Sequence, residues 1–346
     1  MKQYPLVSIL IPVYLRGDLS IETIDCALLQ DYPNFEIIVN DNCSNDGSYE
    51  LLCERYANNS KVYIEQNETN VGAVGNWKRC MERARGEYVK FLWSDDLMRS
   101  DFTRRAVELL EENEDASFVY SAVRMFRTVN EKGVVIEMNS SKQEEIIKNS
   151  EEPEKNLYDI GETGVYPASV FFDLTFKTPF KAPLSPGCAL FRKNKVNIMD
   201  QIPNRLGYEH KKNGAGPDVL MFLEALKKNE KFIFISEIMN YFREHIGSIS
   251  CSDSTIMVGY HTAKLYFIKK YNLTQYEVWF NANIFLHKMN VKFLNYREND
   301  RVLKQYYTNV DETVHGIRLY PYMFWIIIEK IKHYKGVIIK KILERE

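Results

Sequence analysis

The stretch that decides the fold is Glu87-Tyr88-Val89-Lys90-Phe91-Leu92-Trp93-Ser94-Asp95-Asp96, an apolar segment that ends at two adjacent carboxylates. A short apolar segment of this kind predicts a strand that is buried on both faces. Such a strand brings its last side chains to the carboxyl edge of a sheet, where α/β proteins bind ligands. Because adjacent carboxylates repel each other, Asp95 and Asp96 indicate either a site for Mg²⁺ or Mn²⁺ or a solvated helix N-terminus capped by aspartate.

Strands and helices alternate on the N-terminal side of this segment. Short β-branched stretches predict strands at 7–13, 35–40 and 61–65. Apolar residues at helical spacing predict helices at about 20–30, from 48 onward and at about 74–85. Alternation at this spacing implies right-handed βαβ crossovers. The predicted fold class is therefore α/β, with a mainly parallel sheet flanked by helices.

The pattern is less regular on the C-terminal side. Strands are predicted at 116–123, 187–192 and 231–236, and an amphipathic helix begins at Asp218. Periodicity fades from about 124 to 163, which indicates an exposed insertion, and the chain beyond 254 has a helical pattern. We therefore expect one domain over 1–250, made of halves at 1–123 and 166–250 around an insertion at 124–165. A helical C-terminal region at 251–346 follows it.

The composition limits the class of function. The chain has 346 residues, and its 45 basic residues nearly balance its 47 acidic ones, so a basic surface for nucleic acid is not indicated. The six cysteines show no metal-ligand spacing, and we expect buried thiols. No uncharged apolar run approaches the roughly 20 residues that cross a bilayer, and no signal-peptide pattern precedes the first strand. We therefore expect a cytoplasmic protein.

Several motifs follow one another in a fixed order along the predicted scaffold. They are Pro12 with Tyr14 at the first strand, Val39-Asn40-Asp41-Asn42-Cys43-Ser44-Asn45-Asp46-Gly47-Ser48, Asn70-Val71-Gly72, Gly86-Glu87-Tyr88 and Ser94-Asp95-Asp96. Together they resemble family 2 of the inverting glycosyltransferases, which have the Rossmann-like GT-A fold that binds nucleotide sugars. The resemblance is close over about the first hundred residues and resumes more weakly at 216–218 and 241–250.

The resemblance implies a site for a nucleoside diphosphate and a metal ion. Its nucleotide-binding residues are predicted to be Pro12, Tyr14, Asp41, Asp46, Gly72, Ser94 and Asp95, and its metal ligands Asp95, Asp96 and His245. Asp41 would accept the imide proton of a uracil-like base, and Arg243 and Ser248 would contact phosphate. The family often has an aspartate where this chain has Trp93, another at Asn40, and an asparagine at Leu15.

These residue types also have structural roles, and those alternatives stay open. Aspartates in turns accept hydrogen bonds from their own backbone, and glycine serves ordinary turns. An aromatic residue at a strand end often only packs, and a lone histidine is often structural.

Inverting transfer needs a base that deprotonates the acceptor hydroxyl as its oxygen attacks the sugar. The resemblance assigns this base to Asp218 in Gly214-Ala215-Gly216-Pro217-Asp218, with Glu209 and Glu224 as the other candidates. The alternative for Asp218 is a helix N-cap, which its position also fits.

The implied function is transfer of a sugar from a nucleoside-diphosphate sugar, with a UDP-sugar favoured, to a hydroxyl of a polysaccharide or a lipid-linked glycan. Mn²⁺ or Mg²⁺ is the implied cofactor. A catalytically silent scaffold that binds glycans is the first alternative, because Trp93 cannot ligate a metal. A sugar-nucleotide nucleotidyltransferase is disfavoured, because Tyr14-Leu15-Arg16-Gly17 has only one glycine and one arginine to hold a triphosphate.

The tail at 317–346 is basic and rich in aromatic and branched apolar residues. This pattern fits an interfacial helix that docks the protein on the inner face of the cell membrane, close to a lipid-linked acceptor. A helix packed against the catalytic domain or against a second copy of the chain fits equally well.

Overall fold

The computed structural model describes residues 4–127, 156–178, 181–203, 209–227, 230–245 and 256–293, together with Met323 and Ile327. Most of the predicted insertion at 124–165 lies outside this range, as does Ser248. The predicted tail at 317–346 also lies outside it, apart from those two residues. Its membrane and packing interpretations therefore stay predictions, and so do the domain boundaries.

The N-terminal strands and helices alternate as the sequence predicts. They are β1 (Val7–Val13), α1 (Gly17–Leu28), β2 (Phe35–Asp41), α2 (Ser48–Tyr56), β3 (Val62–Gln66), α3 (Gly72–Arg83) and β4 (Tyr88–Phe91). Every residue of β2 is buried, and in β1 only Pro12 is partly exposed. Strands covered on both faces need this continuous apolar sequence, which is why their positions could be predicted.

The elements that follow β4 vary more in length. They are β5 (Leu97–Met98), α4 (Phe102–Glu112), β6 (Ala116–Arg127), β7 (Asn156–Leu157), β8 (Gly164–Pro167), α5 (Ala168–Phe176), β9 (Ala189–Arg192), α6 (His210–Asn213), α7 (Pro217–Ala225), β10 (Lys231–Glu244), α8 (Ile256–Lys270) and α9 (Thr274–Phe293). A short 3₁₀ helix at Pro186–Cys188 precedes β9. The predicted helical pattern beyond 254 is confirmed in α8 and α9.

The strands form one ten-stranded sheet with the order β3-β2-β1-β4-β9-β6-β10-β5, while β7 and β8 pair with β6 and β10. The first four strands are parallel neighbours. β9 lies antiparallel between β4 and β6, and β10 runs parallel to β6. The mainly parallel sheet flanked by helices is therefore confirmed, and its antiparallel pairs involve β5, β7, β8 and β9.

Two strands are longer than predicted, and this changes the site. β6 and β10 continue to Arg127 and Glu244, because they pair with each other along their length. The register of β10 shifts between Ile235 and Ile238 and again before Asn240, which interrupts the alternation that sequence reasoning relies on. β5 and β8 were not predicted, since they are too short for a periodic signal, and α5 was not predicted either.

The sheet separates two apolar clusters. One packs against α3, α5, α7 and α8, and the other packs against α1, α2 and α4. Phe118 of β6 lies in the first cluster with no exposed surface, and its ring centroid is 5.1 Å from that of Phe222 and 5.2 Å from that of Phe191. Aromatic contacts at these distances stabilise a core beyond the area that they bury.

None of the helices in the described part of the chain is both long enough and apolar enough to cross a bilayer. The cysteines that the structure describes, Cys26, Cys43, Cys53, Cys80 and Cys188, are free thiols.

We expect Phe118→Ala to lower the free energy of unfolding by about 3–5 kcal/mol, because it leaves a cavity among packed aromatic rings. Urea denaturation of both proteins measures the difference. The control is Leu29→Ala, because Leu29 is 55% exposed and should change the free energy by at most about 0.5 kcal/mol. A loss below about 1 kcal/mol for Phe118→Ala would contradict the described packing.

Candidate active site

The acidic pair lies in a turn that leads from β4 into β5. Asp95 and Asp96 are 6% and 4% exposed, and neither begins a helix. The alternative of a solvated helix N-terminus is therefore wrong. Two buried neighbouring carboxylates need compensation from nearby donors or cations.

Asp95 is compensated by two side chains from distant parts of the chain. Its Oδ2 accepts a hydrogen bond from Nη1 of Arg16 at 2.5 Å and lies 2.9 Å from Nε2 of His245. Arg16 follows β1 and His245 follows β10, so the ends of three strands meet at this carboxylate. The structure thus brings two of the predicted metal ligands, Asp95 and His245, into contact.

Asp96 is held from the end of β10. Its Oδ1 accepts a hydrogen bond from the backbone N–H of Arg243 at 2.9 Å, while Nε of Arg243 donates to the carbonyl of Asp95 at 2.7 Å. The guanidinium of Arg243 also pairs with Glu22 of α1 and is almost fully buried. Burial, followed by the charge of Asp95, raises the pKa of Asp96 well above its usual value. A cation at this turn would therefore favour its ionised form.

A buried lysine adds a second cation near Asp96. Lys90 of β4 has no exposed surface, and its Nζ donates to the carbonyl of Gly187 and, at 2.9 Å, to Oδ1 of Asn240. Burial lowers the pKa of Lys90 to about 7, and the charge of Asp96 acts in the opposite direction. Lys90 is thus a polar group of the site that faces away from solvent.

The donor set at the turn suits a divalent ion that is shared with a substrate. In the described part of the chain, no three His, Cys, Asp or Glu residues gather as a complete metal site. Among the described contacts, Arg16 and His245 bind Oδ2 of Asp95, and the backbone of Arg243 binds Oδ1 of Asp96, so two carboxylates and an imidazole meet at one turn. Mg²⁺ is commonly bound by one or two carboxylates together with substrate phosphates, so these residues fit it.

Asp41 lies at the end of β2, fully buried. Its Oδ1 accepts hydrogen bonds from the backbone of Ser44 at 2.8 Å and from Gln66 at 3.0 Å, and its Oδ2 accepts one from the Ser44 hydroxyl at 2.6 Å. These are the bonds of a turn aspartate, which was the structural alternative for this residue. Contact with a nucleobase stays a prediction.

One series of contacts joins Asp41 to the acidic pair. The Ser44 hydroxyl, which donates to Asp41, accepts a hydrogen bond from the backbone N–H of Leu15 at 2.8 Å. Leu15 precedes Arg16, whose guanidinium binds Asp95. Leu15 has a φ of 52° and Cys43 a φ of 62°, a left-handed backbone that side chains other than glycine seldom adopt. Such local strain is typical of functional sites.

The remaining residues that were predicted to bind the nucleotide differ in exposure and contacts. Tyr14 is 44% exposed beside Leu15, Pro12 lies in β1, and Ser94 is buried next to Asp95. Asp46 is exposed and accepts a hydrogen bond at 3.1 Å from the backbone of Ser48, the first residue of α2, so its described contact is that of a turn.

Gly72 begins α3 with a φ of 77°, and a side chain there would lie 2.8 Å from the carbonyl oxygen of Lys211. Its close backbone neighbour is therefore α6. A cavity of about 770 Å³ opens beside it, lined by residues that include Asn70, Asp200, Glu209, His210 and Lys212. As far as the described residues show, Asp95, Asp96 and Asp218 do not line this cavity, whereas Glu209 does.

Asp218 stands in the first turn of α7, just after Pro217. Its Oδ1 accepts hydrogen bonds from the backbone N–H groups of Gly216 at 2.8 Å and Val219 at 2.7 Å, and its Oδ2 accepts one from the hydroxyl of Tyr260 at 2.9 Å. The residue is 7% exposed, and burial raises its pKa to about 7. The N-cap of α7 is Gly216 and Asp218 lies inside the helix, so the N-cap alternative for Asp218 is wrong. A carboxyl group with this pKa is suited to accept a proton near neutral pH.

Two tryptophans connect the Asp218 loop to the acidic pair. Gly214 has a φ of 79°, and a side chain there would overlap the ring of Trp77 at 2.2 Å. Trp77 packs on Trp93 with ring centroids 4.9 Å apart, and Trp93 directly precedes Ser94 in the acidic turn. The Asp218 loop and the acidic turn therefore border the same aromatic pair.

The other base candidates differ in their surroundings. Glu224 lies further along α7, where it pairs with Lys270 at 2.8 Å and accepts a hydrogen bond from Tyr271 at 2.7 Å. Those contacts give Glu224 a structural role between two helices. Glu209 is exposed at the cavity and is therefore free to meet a solute.

Sequence reasoning missed three charged residues at the acidic pair: Arg16 as the partner of Asp95, Glu22 as the partner of Arg243, and the buried Lys90. A signal existed for two of them. Arg16 is the single arginine in the loop after β1, and Lys90 is a charged residue inside an otherwise apolar strand. Nothing in the local sequence distinguishes Glu22 from the other acidic residues of α1.

Comparison with known proteins identifies a family and several relatives. The model of the family described as "Glycosyl transferase family 2" matches residues 8–174. The chain is 34% identical over 108 residues to the putative teichuronic acid biosynthesis glycosyltransferase TuaG of Bacillus subtilis, a match that covers 31% of this chain and 43% of TuaG. It is 32% identical over 127 residues to the amylovoran biosynthesis glycosyltransferase AmsB of Erwinia amylovora, covering 35% of this chain and 42% of AmsB.

A third relative is the poly(ribitol-phosphate) beta-N-acetylglucosaminyltransferase TarS of Staphylococcus aureus, at 30% identity over 109 residues, 31% of this chain and 19% of TarS. Each of these matches spans less than half of the relative. The crystal structure of S. aureus TarS 1–349 in complex with UDP superposes with a TM-score of 0.53 at 18% identity, covering 85% of this chain and 73% of that one, which shows a shared GT-A fold. Over residues 8–174, the chain matches glycosyl transferase family 2.

Proposed function

We propose that the protein is an inverting glycosyltransferase. It transfers a sugar from a nucleoside-diphosphate sugar to a hydroxyl of a polysaccharide or a lipid-linked glycan by a single displacement. The observation that carries this proposal is the series of contacts from Asp41 through Ser44, Leu15 and Arg16 to Asp95. These contacts bring Asp41, proposed to recognise the nucleobase, and the acidic pair, proposed to bind the cation, to one edge of the sheet. Binding of a nucleoside diphosphate requires both.

The donor is a UDP-sugar in this proposal. Asp41 ends β2 at the distance of one strand from β1, so a nucleobase can lie near it while its diphosphate lies near Asp95. The crystal structure of TarS that shares this fold contains UDP, which supports the same nucleotide here. Arg16 is partly exposed and carries a positive charge next to Asp95, where a diphosphate oxygen is an alternative partner for it.

Asp218 is the base. Its Oδ1 is engaged by two backbone N–H groups, so Oδ2 is the atom that accepts the proton of the acceptor hydroxyl as the hydroxyl oxygen attacks the anomeric carbon. Its pKa of about 7 makes it a stronger base than an exposed aspartate and still leaves it substantially ionised at neutral pH. Asp95 and Asp96, with His245 beside them, would hold Mn²⁺ or Mg²⁺, and such an ion would neutralise negative charge on the departing nucleoside diphosphate.

The acceptor is a saccharide of a surface polymer. The names of TuaG, AmsB and TarS refer to teichuronic acid, amylovoran and poly(ribitol phosphate), which supports a polymeric or lipid-linked acceptor. If the acceptor is linked to a lipid, docking of the tail at 317–346 on the membrane would bring it within reach.

A silent scaffold is the second candidate, and Trp93 favours it. This side chain cannot ligate a metal, and its Nε1 donates to the Ser185 hydroxyl at 2.7 Å, which fixes it as a packed wall. A silent scaffold and an enzyme would both bind the nucleotide, but only the enzyme would turn over a sugar donor.

We expect the protein to release UDP from at least one UDP-sugar when Mn²⁺ or Mg²⁺ is present, and to lose at least about tenfold of that rate with a chelator. A panel of nucleotide sugars, assayed for nucleoside diphosphate with and without an acceptor extract, measures the rate. A parallel thermal-shift assay with UDP and metal reports binding without turnover.

The two assays separate the candidate functions. Binding of UDP and metal without turnover of any donor supports the scaffold. If no nucleoside diphosphate raises Tm with either metal, both proposals are wrong. If the chelator does not change the turnover rate, the proposed metal dependence is wrong and the proposed transferase activity stands.

We expect Asp218→Asn to lower kcat by about 10²–10⁴-fold, because the amide keeps the hydrogen bonds at Oδ1 but cannot accept a proton. The thermal shift caused by UDP and metal should stay within error, since the donor site is unchanged. Wild-type activity should fall as the pH drops through about 7, because the base is protonated below its pKa.

Glu209→Gln is the matched control, since Glu209 is exposed and lines the cavity. It should retain activity within about threefold. If Glu209→Gln loses activity and Asp218→Asn keeps it, the base is Glu209.

A further inference from the structure

Helix α8 contributes to the site although it lies outside the segment that matches the family. The loop before α7 packs directly on it: Gly216 has a φ of 106°, and a side chain there would lie 2.8 Å from the carbonyl oxygen of Gly259. On the next turn, the Thr262 hydroxyl lies 3.1 Å from Nε2 of His210. The backbone that positions Asp218 is therefore in van der Waals contact with α8.

The Asp218 carboxylate is bound on both oxygens, but by different partners. Oδ1 accepts two backbone hydrogen bonds from its own loop. Among the residues that the structure describes, the hydroxyl of Tyr260, 42 positions away in sequence, donates to Oδ2. Rotation of the carboxyl group about its Cβ–Cγ bond would break all three bonds, so Tyr260 fixes the direction in which Oδ2 faces.

We propose that Tyr260 is a positioning residue for the base: its hydroxyl holds Oδ2 of Asp218 in place and stabilises the ionised carboxylate that receives the acceptor proton. This inference rests on the proposed function. A hydroxyl that donates to a carboxylate favours the charged form, and it leaves the second lone pair of the oxygen for the incoming proton. The family resemblance does not reach Tyr260, which is why the role is assigned from contacts alone.

Other titratable groups face Asp218 and form the electrostatic surroundings in which its carboxyl group titrates. Burial is the largest effect on Asp218 and raises its pKa, and the Tyr260 hydroxyl acts in the opposite direction. Lys264, also on α8, has its pKa lowered to about 8 by burial, with the Asp218 charge opposing that change. Tyr158 has its pKa raised mainly by burial and in part by Asp218, and burial lowers the pKa of His210 on α6.

The test is Tyr260→Phe, measured as a pH profile of kcat/KM for the acceptor. Loss of the Tyr260 hydroxyl, a hydrogen-bond donor, should raise the pKa of Asp218. The acid limb of the pH profile should therefore move upward by about one pH unit. Activity at pH 6 should therefore fall about tenfold, and the loss should be much smaller above the shifted limb. The KM for the donor should not change, because the donor side of the site is not touched.

The matched control is Tyr271→Phe. The Tyr271 hydroxyl donates to Oε2 of Glu224 at 2.7 Å, so the same deletion is made next to the same pair of helices, on a carboxylate outside the reaction. This variant should lower Tm without moving the pH profile. If Tyr260→Phe gives a profile that superimposes on the wild type, or loses activity equally at every pH, the positioning role is wrong.

A readout without turnover keeps this inference separate from the proposed function. The carboxyl carbon of Asp218, followed by ¹³C NMR with Asp218→Asn for assignment, should titrate at higher pH in Tyr260→Phe than in the wild type. If no donor is turned over but this shift is found, the proposed function fails and the hydrogen bond stands. If donors are turned over and no shift is found, only the role of Tyr260 fails.

Discussion

Burial of two adjacent carboxylates at the end of β4 is the constraint on which the site depends. Such a pair is costly unless cations and donors meet it, and the structure provides Arg16 from the end of β1 and Arg243 with His245 from the end of β10. These partners come from opposite ends of the chain. The acidic turn therefore reaches its described form only when β1, β4 and β10 are in register, so the fold and the site are specified by the same contacts.

The aromatic pair Trp77 and Trp93 plays a corresponding role for the base. Where the family resemblance predicts another aspartate, this chain has Trp93, whose indole packs on Trp77 and donates to Ser185. A third carboxylate would have added charge to a turn that is already buried. The indole instead supplies a rigid apolar wall, and Gly214 lets the Asp218 loop approach it closely. The acidic turn and the base are thus connected by packing, whereas the contacts between strand ends are electrostatic.

The sequence allowed prediction of features that depend on local pattern and missed those that depend on distant contacts. β1, β2 and β4 were predictable because buried parallel strands are continuously apolar, and Asp95 and Asp96 because they end such a strand. The turn role of Asp41 was foreseen as an alternative, since Ser44 is close in sequence. The end of β10 was missed because its register shifts hide the alternation, and with it the contact of Arg243 with Asp96, 147 positions away. The partner of Asp218, on α8, had no local signal at all.

The distribution of these contacts along the chain separates two tasks. The residues proposed to hold the nucleotide and cation lie mostly within residues 8–174, the part that matches the family. Asp218 and its partner Tyr260 lie beyond it, and their loop is shaped by contacts with α8 such as that between Gly216 and Gly259. Changes in α8 would therefore alter the position of Asp218, the proposed base, through these contacts. The residues proposed for the nucleotide and those proposed for the base therefore lie in different parts of the chain, so either group can change in sequence without the other.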